Sequence, residues 1–107
     1  MENKKFYSML GLCKRARTLT FGEGAVKDRI RQKKARLVIV SADASENTKK
    51  KFSDNCSFYT VPYVEVGDRY TLGNAIGNTF AVVLAITNQG LAENLLKLLN
   101  ETQADEL

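Results

Sequence analysis

Phe6, Met9, Leu10 and Cys13 fall at i, i+3, i+4 and i+7, a spacing that predicts a helix over residues 3–15 with one buried stripe. Lys14, Arg15 and Arg17 close this segment, where cations complement the carboxyl end of the helix dipole. Residues 18–20 are β-prone and predict a short strand. Thr20-Phe21-Gly22-Glu23 then reads as a capping box, with the Thr20 hydroxyl and the Glu23 carboxylate serving the free amides of a second helix that runs to about residue 33. Val26 and Ile30 face inward on it. Lys27, Arg31 and Lys34, at i, i+4 and i+7, predict a basic outer face flanked by Arg29 and Lys33. A Glu23–Lys27 pair at i, i+4 is the plain structural use of both residues.

Leu37-Val38-Ile39-Val40 is an unbroken apolar run, and it predicts a strand over residues 35–41 buried on both faces. Ser45 predicts the cap of a polar third helix over residues 46–55, with Lys49, Lys50 and Lys51 on a solvated face. Residues 56–61 predict a second strand, ended by Pro62, the only proline. Residues 64–66 are extended, Gly67-Asp68 makes a turn, and residues 71–77 form a short helical turn stopped by Gly77. Residues 80–86 predict another central strand. Asn88 opens a last helix over residues 90–100 with Leu91, Leu95, Leu98 and Leu99 as its apolar stripe. The polar segment 101–107 is expected to fray. Helices alternating with buried strands predict an α/β fold, a three-layer α/β/α sandwich with a mixed central sheet, as a single domain over residues 1–100.

Composition agrees with one domain. The chain has 107 residues, 44% of them hydrophobic, enough to bury a core. Charge is distributed unevenly. Residues 1–51 hold fourteen Lys and Arg against five Asp and Glu, whereas residues 52–107 hold two against seven. This asymmetry predicts one strongly positive face, for which a polyanion is the first partner to consider and a merely solvated surface the bland alternative. No apolar run approaches a membrane span, and residues 1–5 lead into a polar-interrupted segment unlike a signal peptide, so a cytoplasmic protein with no membrane partner is expected.

Little catalytic chemistry is available. Histidine is absent, which removes His-based triads and His-ligated metal sites. Cys13 and Cys56 form no Cys-x-x-Cys pair and are expected to be buried free thiols. Gly22-x-Gly24 lacks the third glycine of a dinucleotide fingerprint, and no Gly-Lys-Ser/Thr phosphate loop occurs. Neither an enzyme nor a cofactor is expected. A basic helix face beside a helix N-terminus, however, offers both cations and backbone amides to phosphate oxygens, and Gly22 and Gly24 would let a backbone approach closely. Only Phe6, Tyr7 and Phe21 are aromatic on the basic part of the chain, so folded RNA suits it better than stacked single strands, and no DNA specificity is expected.

Several segments in order carry a resemblance. They are Leu10-Gly11-Leu12-Cys13-Lys14-Arg15-Ala16-Arg17, Gly22-Glu23, residues 35–45, Val61-Pro62-Tyr63 and Leu72-Gly73-Asn74-Ala75-Ile76-Gly77. Through them the chain resembles the YlxQ-type bacterial members of the ribosomal-protein superfamily that binds kink-turn RNA. The resemblance covers nearly the whole chain and implies an α/β/α sandwich that binds structured RNA, ribosomal or otherwise kinked, without catalysis. It implies that the RNA sits on the start of the second helix and on the loop before the last strand. Lys14, Arg15, Arg17, Lys27, Arg31 and Lys34 would then neutralise phosphates, Gly22, Glu23 and Gly24 would lie closest to the RNA, and Ile76, Gly77, Asn78 and Thr79 would line the other wall. Kink-turn binders begin that helix with Gly-x-Asn/Gln-Glu/Gln-x-x-Lys, and this chain departs from the pattern at Gly24, Ala25 and Asp28. The rival expectation is a protein-interaction module of the same fold, using the acidic C-terminal half.

Overall fold

Leu37 and Ile39 point to one side of the central strand, and Val38 and Val40 to the other, and all four are fully buried. The computed structural model describes residues 3–106, with side chains through Glu101, so Met1, Glu2 and Leu107 lie outside it. Its elements are α1 (Lys4–Arg15), β1 (Leu19–Phe21), α2 (Glu23–Arg31), β2 (Leu37–Ser41), α3 (Glu46–Tyr59), β3 (Tyr63–Val66), α4 (Arg69–Ala75), β4 (Val83–Ile86) and α5 (Gln89–Glu106). The sheet order is β1-β4-β2-β3, with β2 and β3 parallel and β4 antiparallel to both β1 and β2. It is the expected mixed sheet.

Helices cover both faces. Phe6, Leu10 and Cys13 of α1, Leu72 of α4 and Leu95 of α5 pack on Leu37, Ile39, Leu84 and Ile86. Val26 and Ile30 of α2 and Phe52 and Cys56 of α3 pack on Val38, Val40, Val83 and Ala85. The alternation along β2 and β4 therefore divides one apolar run between two cores, each closed by amphipathic helices.

Several boundaries differ from expectation for physical reasons. Residues 56–59 are helical, not a strand. Cys56 lies one turn beyond Phe52 on the buried stripe of α3, and this packing overrides the β-propensity of the segment. The helix ends where Thr60 adopts a left-handed φ of 59°, just before Pro62. The extended segment at 64–66 does become β3. In α2 the helix stops at Arg31, and Lys33 turns left-handed at φ 62°, so Lys34 lies past the helical register and off the face shared by Lys27 and Arg31. Asn3 and Ser45 cap α1 and α3 through their side chains, accepting from the amides of Phe6 and Thr48. Asn88 accepts from the amide of Leu91 at the start of α5, whose last turns include the polar segment from Glu101 expected to fray. Among the described residues, no helix is long and apolar enough to cross a membrane.

β1 and β2 run in the same direction, and α2 connects the end of one to the start of the other. The start of α2, the loop before β4 and the start of α4 therefore share one end of the sheet. The turn after α1 and the turn from α2 into β2 share the opposite end.

Candidate nucleic-acid interface

β1 ends at Phe21, and Gly22 turns the chain with φ 98° and ψ 145°, a conformation open essentially to glycine alone. Its amide donates to the Val83 carbonyl at 2.9 Å, and its own carbonyl accepts from Val26 at 3.0 Å. The capping box expected from Thr20 does not form. Thr20 and Phe21 remain in β1, paired with Ala85 and Leu84, and no side chain caps α2. The first amides of the helix, from Glu23 to Ala25, thus have no intrahelical acceptor and stand at the positive end of the helix dipole. Side-chain carbons at Gly22 and Gly24 would meet nothing within 4 Å, so the surface over these amides is open.

The facing wall is the loop 77–80. Gly73 of α4 packs so closely on Phe80 that a side-chain carbon there would strike the Phe80 backbone. The Asn78 amide donates to the Gly73 carbonyl at 2.9 Å, the Asn78 side chain donates to the Phe80 carbonyl at 3.3 Å, and the Ala81 amide donates to the Arg69 carbonyl at 2.9 Å. Asp68 anchors the start of α4, accepting from the amides of Tyr70 and Thr71 and from the Thr71 hydroxyl. The Thr71 amide, the Thr71 hydroxyl and the Tyr70 amide, in that order, hold the Asp68 carboxyl below the usual carboxylate range. Between the walls lies a groove of about 280 Å³, lined by Phe21, Gly22, Glu23, Asn78, Phe80 and residues 81–83.

Sequence-predicted residues divide among three places. Gly22, Glu23, Gly24, Gly77, Asn78 and Thr79 are exposed at the groove end. Lys14 reaches toward it, its Nζ 6.0 Å from the Phe21 ring centroid, and Lys27 is exposed one turn into α2. Arg15 is exposed in the last turn of α1, while Ile76, 6% exposed, belongs to the core and supports the loop instead of lining it. Arg31 ends α2 and pairs with Asp28 at 2.6 Å. Arg17 and Lys34 lie at the far end of the sheet. No single surface unites all of them.

Glu23 does not pair with Lys27. Its carboxylate lies 2.9 Å from Lys51 of α3, bringing a lysine expected to be merely solvated to the groove. Its neighbours are engaged elsewhere, Lys50 with Asp54 at 3.2 Å and Lys49 between Glu46 and Glu65 at 3.8 and 3.7 Å. Cys13 and Cys56 are buried free thiols, and burial pushes the Cys56 thiol up to about 12. Among the described residues, no three His, Cys, Asp or Glu side chains gather as a metal site would require.

Residues 4–96 match the Ribosomal protein L7Ae/L30e/S12e/Gadd45 family. The chain belongs to that family. It is 44% identical over 100 residues to the RNA-binding protein YlxQ of Bacillus subtilis (strain 168), covering 94% of this chain and all of the relative. With the RNA-binding protein YlxQ of Enterococcus faecium it shares 38% identity over 98 residues, 92% of this chain and 94% of that one. A solved Bacillus halodurans protein of unknown function superimposes with a TM-score of 0.88 at 41% identity, covering 90% of this chain and 97% of that one. The Giardia lamblia 15.5kD RNA binding protein, at 21% identity, shares the fold with a TM-score of 0.77 over 97% of this chain and 90% of its own. This chain is thus a YlxQ-type member of the L7Ae family.

Two groove residues escaped the sequence. Lys51 depends on how α3 packs on α2, and no local pattern announces that. Phe80, 52% exposed, was legible only as part of an apolar run, although the strand begins three residues later at Val83.

Proposed function

We propose that this chain binds structured RNA, kinked RNA among its targets, without catalysing a reaction on it, and that the RNA sits in the groove between the start of α2 and the loop 77–80. The uncapped start of α2 carries this reading. Its free amides donate to phosphate oxygens, which the dipole behind them also attracts, and the glycines leave the approach open. Phe80 presents an aromatic face on which an unstacked base can lie. Glu23 is an acceptor for a base amino group and has its own lysine beside it. Lys14 and Lys27 add phosphate contacts around the rim.

Membership of a family with relatives named RNA-binding proteins supports the same reading. So does the absence of any histidine to serve as a general base. The cytoplasm, ribosomal RNA included, is the compartment proposed for it. Affinity for an RNA hairpin with a kinked internal loop, measured across salt concentrations, tests the proposal. Lys14→Gln with Lys27→Gln should weaken binding and flatten the slope of log affinity against log salt by about 1.5 units. Binding that is absent for the parent, or insensitive to salt, would favour the protein-interaction reading instead.

A further inference from the structure

At the end of the sheet opposite the groove stand Arg17, Lys33, Lys34 and Arg36, all exposed and none ion-paired among the described residues. The sheet fixes their spacing. The Thr87 amide donates to the Thr18 carbonyl at 2.8 Å, and the Arg36 amide donates to the Ile86 carbonyl at 2.7 Å. The backbones leading into β1 and β2 therefore flank the end of β4, two strand spacings or about 10 Å apart. Lys33 and Lys34 extend the row through the turn out of α2. Asp28, the carboxylate of α2 nearest this turn in sequence, is already paired with Arg31.

Two of the four cations also adopt backbone conformations unfavourable to their residue type. Arg17 has φ 61° and Lys33 has φ 62°, positions after helix ends where glycine is the relaxed choice. Among the described residues, long basic side chains thus occupy two of the three left-handed sites that lack glycine, Thr60 being the third. Strain retained at exposed residues points to a use for those side chains. The length of α2, about 13 Å for nine residues, separates this pole from the groove.

We infer that this pole is a second RNA site, which takes the phosphate backbone of an unkinked duplex while the groove holds another segment, so that one molecule bridges two pieces of RNA. The choice of RNA as the polyanion rests on the function proposed above; the existence of a separate site does not. Four exposed cations match a sequence-independent backbone contact, since phosphate neutralisation needs charge and reach but no base edges.

The test uses the full chain and a plain RNA duplex of 20 base pairs with no internal loop. The parent should bind it both free and when saturated with the kinked hairpin. The variant R17Q/K33Q/K34Q/R36Q should bind the duplex about tenfold or more weakly, with a salt slope flatter by about three units, while retaining the hairpin. R17G/K33G, which relaxes both left-handed residues, should keep or raise the melting temperature and still lose duplex affinity. Unchanged duplex binding by either variant, or complete displacement of the duplex by the hairpin, would overturn the second site. A parent that binds vesicles of anionic phosphatidylglycerol as strongly as the duplex, through the same four residues, would overturn RNA as the ligand. Failure of the hairpin alone to bind would count against the groove and leave the duplex result to judge the pole.

Discussion

The amide of Gly22 donates to the carbonyl of Val83 at 2.9 Å, joining the first wall of the groove to the strand that follows the second. Because Gly22 sits at φ 98°, that bond depends on a residue without a side chain. Gly22→Ala should cost about 1–3 kcal/mol in urea unfolding, the scale of forcing an alanine into this region. Gly24→Ala, in open space on the first turn of α2, should instead gain about 0.5–1 kcal/mol through helix propensity and reduced unfolded-state freedom, yet lose RNA affinity because its methyl stands over the free amides. Equal stability effects at the two positions would contradict the assignment.

Gly73 positions the other wall. Gly73→Ala puts a methyl against the Phe80 backbone, which must move. The variant should lose stability in thermal melts, and amide spectra should place the largest changes at residues 77–81. A spectrum changed only around α4 would show that the loop does not rest on this contact.

Glu23 separates stability from recognition. With no capping role and a half-exposed partner in Lys51, Glu23→Gln should change stability by less than about 1 kcal/mol. Preference between kinked and unkinked RNA should fall in a competition assay, since the amide is a weaker acceptor for base amino groups. A stability loss on the scale of a missing helix cap would restore the capping role.

The buried thiols set an alkaline limit. Burial raises both, Cys56 to about 12, so the folded state holds protons that the unfolded chain gives up near the ordinary thiol range of about 8.5. Their stabilisation is complete below that range and is lost as pH rises toward about 12. Unfolding by urea should therefore become easier from about pH 9 upward, and Cys56→Ala should flatten that dependence. An identical pH profile in the variant would assign the loss to other groups.

The cores were legible where the pattern was local. The run from Leu37 to Val40 identified a strand buried on both faces, and the Phe6–Cys13 stripe identified α1. Residues 56–59 were not, because β-prone side chains there share a helical stripe with Phe52, and only the second core reveals which period wins. Gly22 was identified from its place at a helix start, and Gly77, Asn78 and Thr79 through family resemblance. Their opposition across a groove, and the removal of Arg17 and Lys34 to the other end, follow from strand direction, which a charge count along the chain does not contain. The Thr20–Glu23 capping signature failed because Thr20 is committed to β1.

Titrating the isotope-labelled chain with the kinked RNA hairpin, and following every backbone amide by NMR, decides whether RNA occupies the groove. The largest shifts are expected at Gly22, Glu23, Gly24 and Ala25 and at Asn78 and Thr79 across the groove, with smaller changes near Lys14 and Lys27. Shifts concentrated in the acidic half away from the loop, or confined to the pole of Arg17 and Arg36 with the groove amides unmoved, would contradict RNA in the groove.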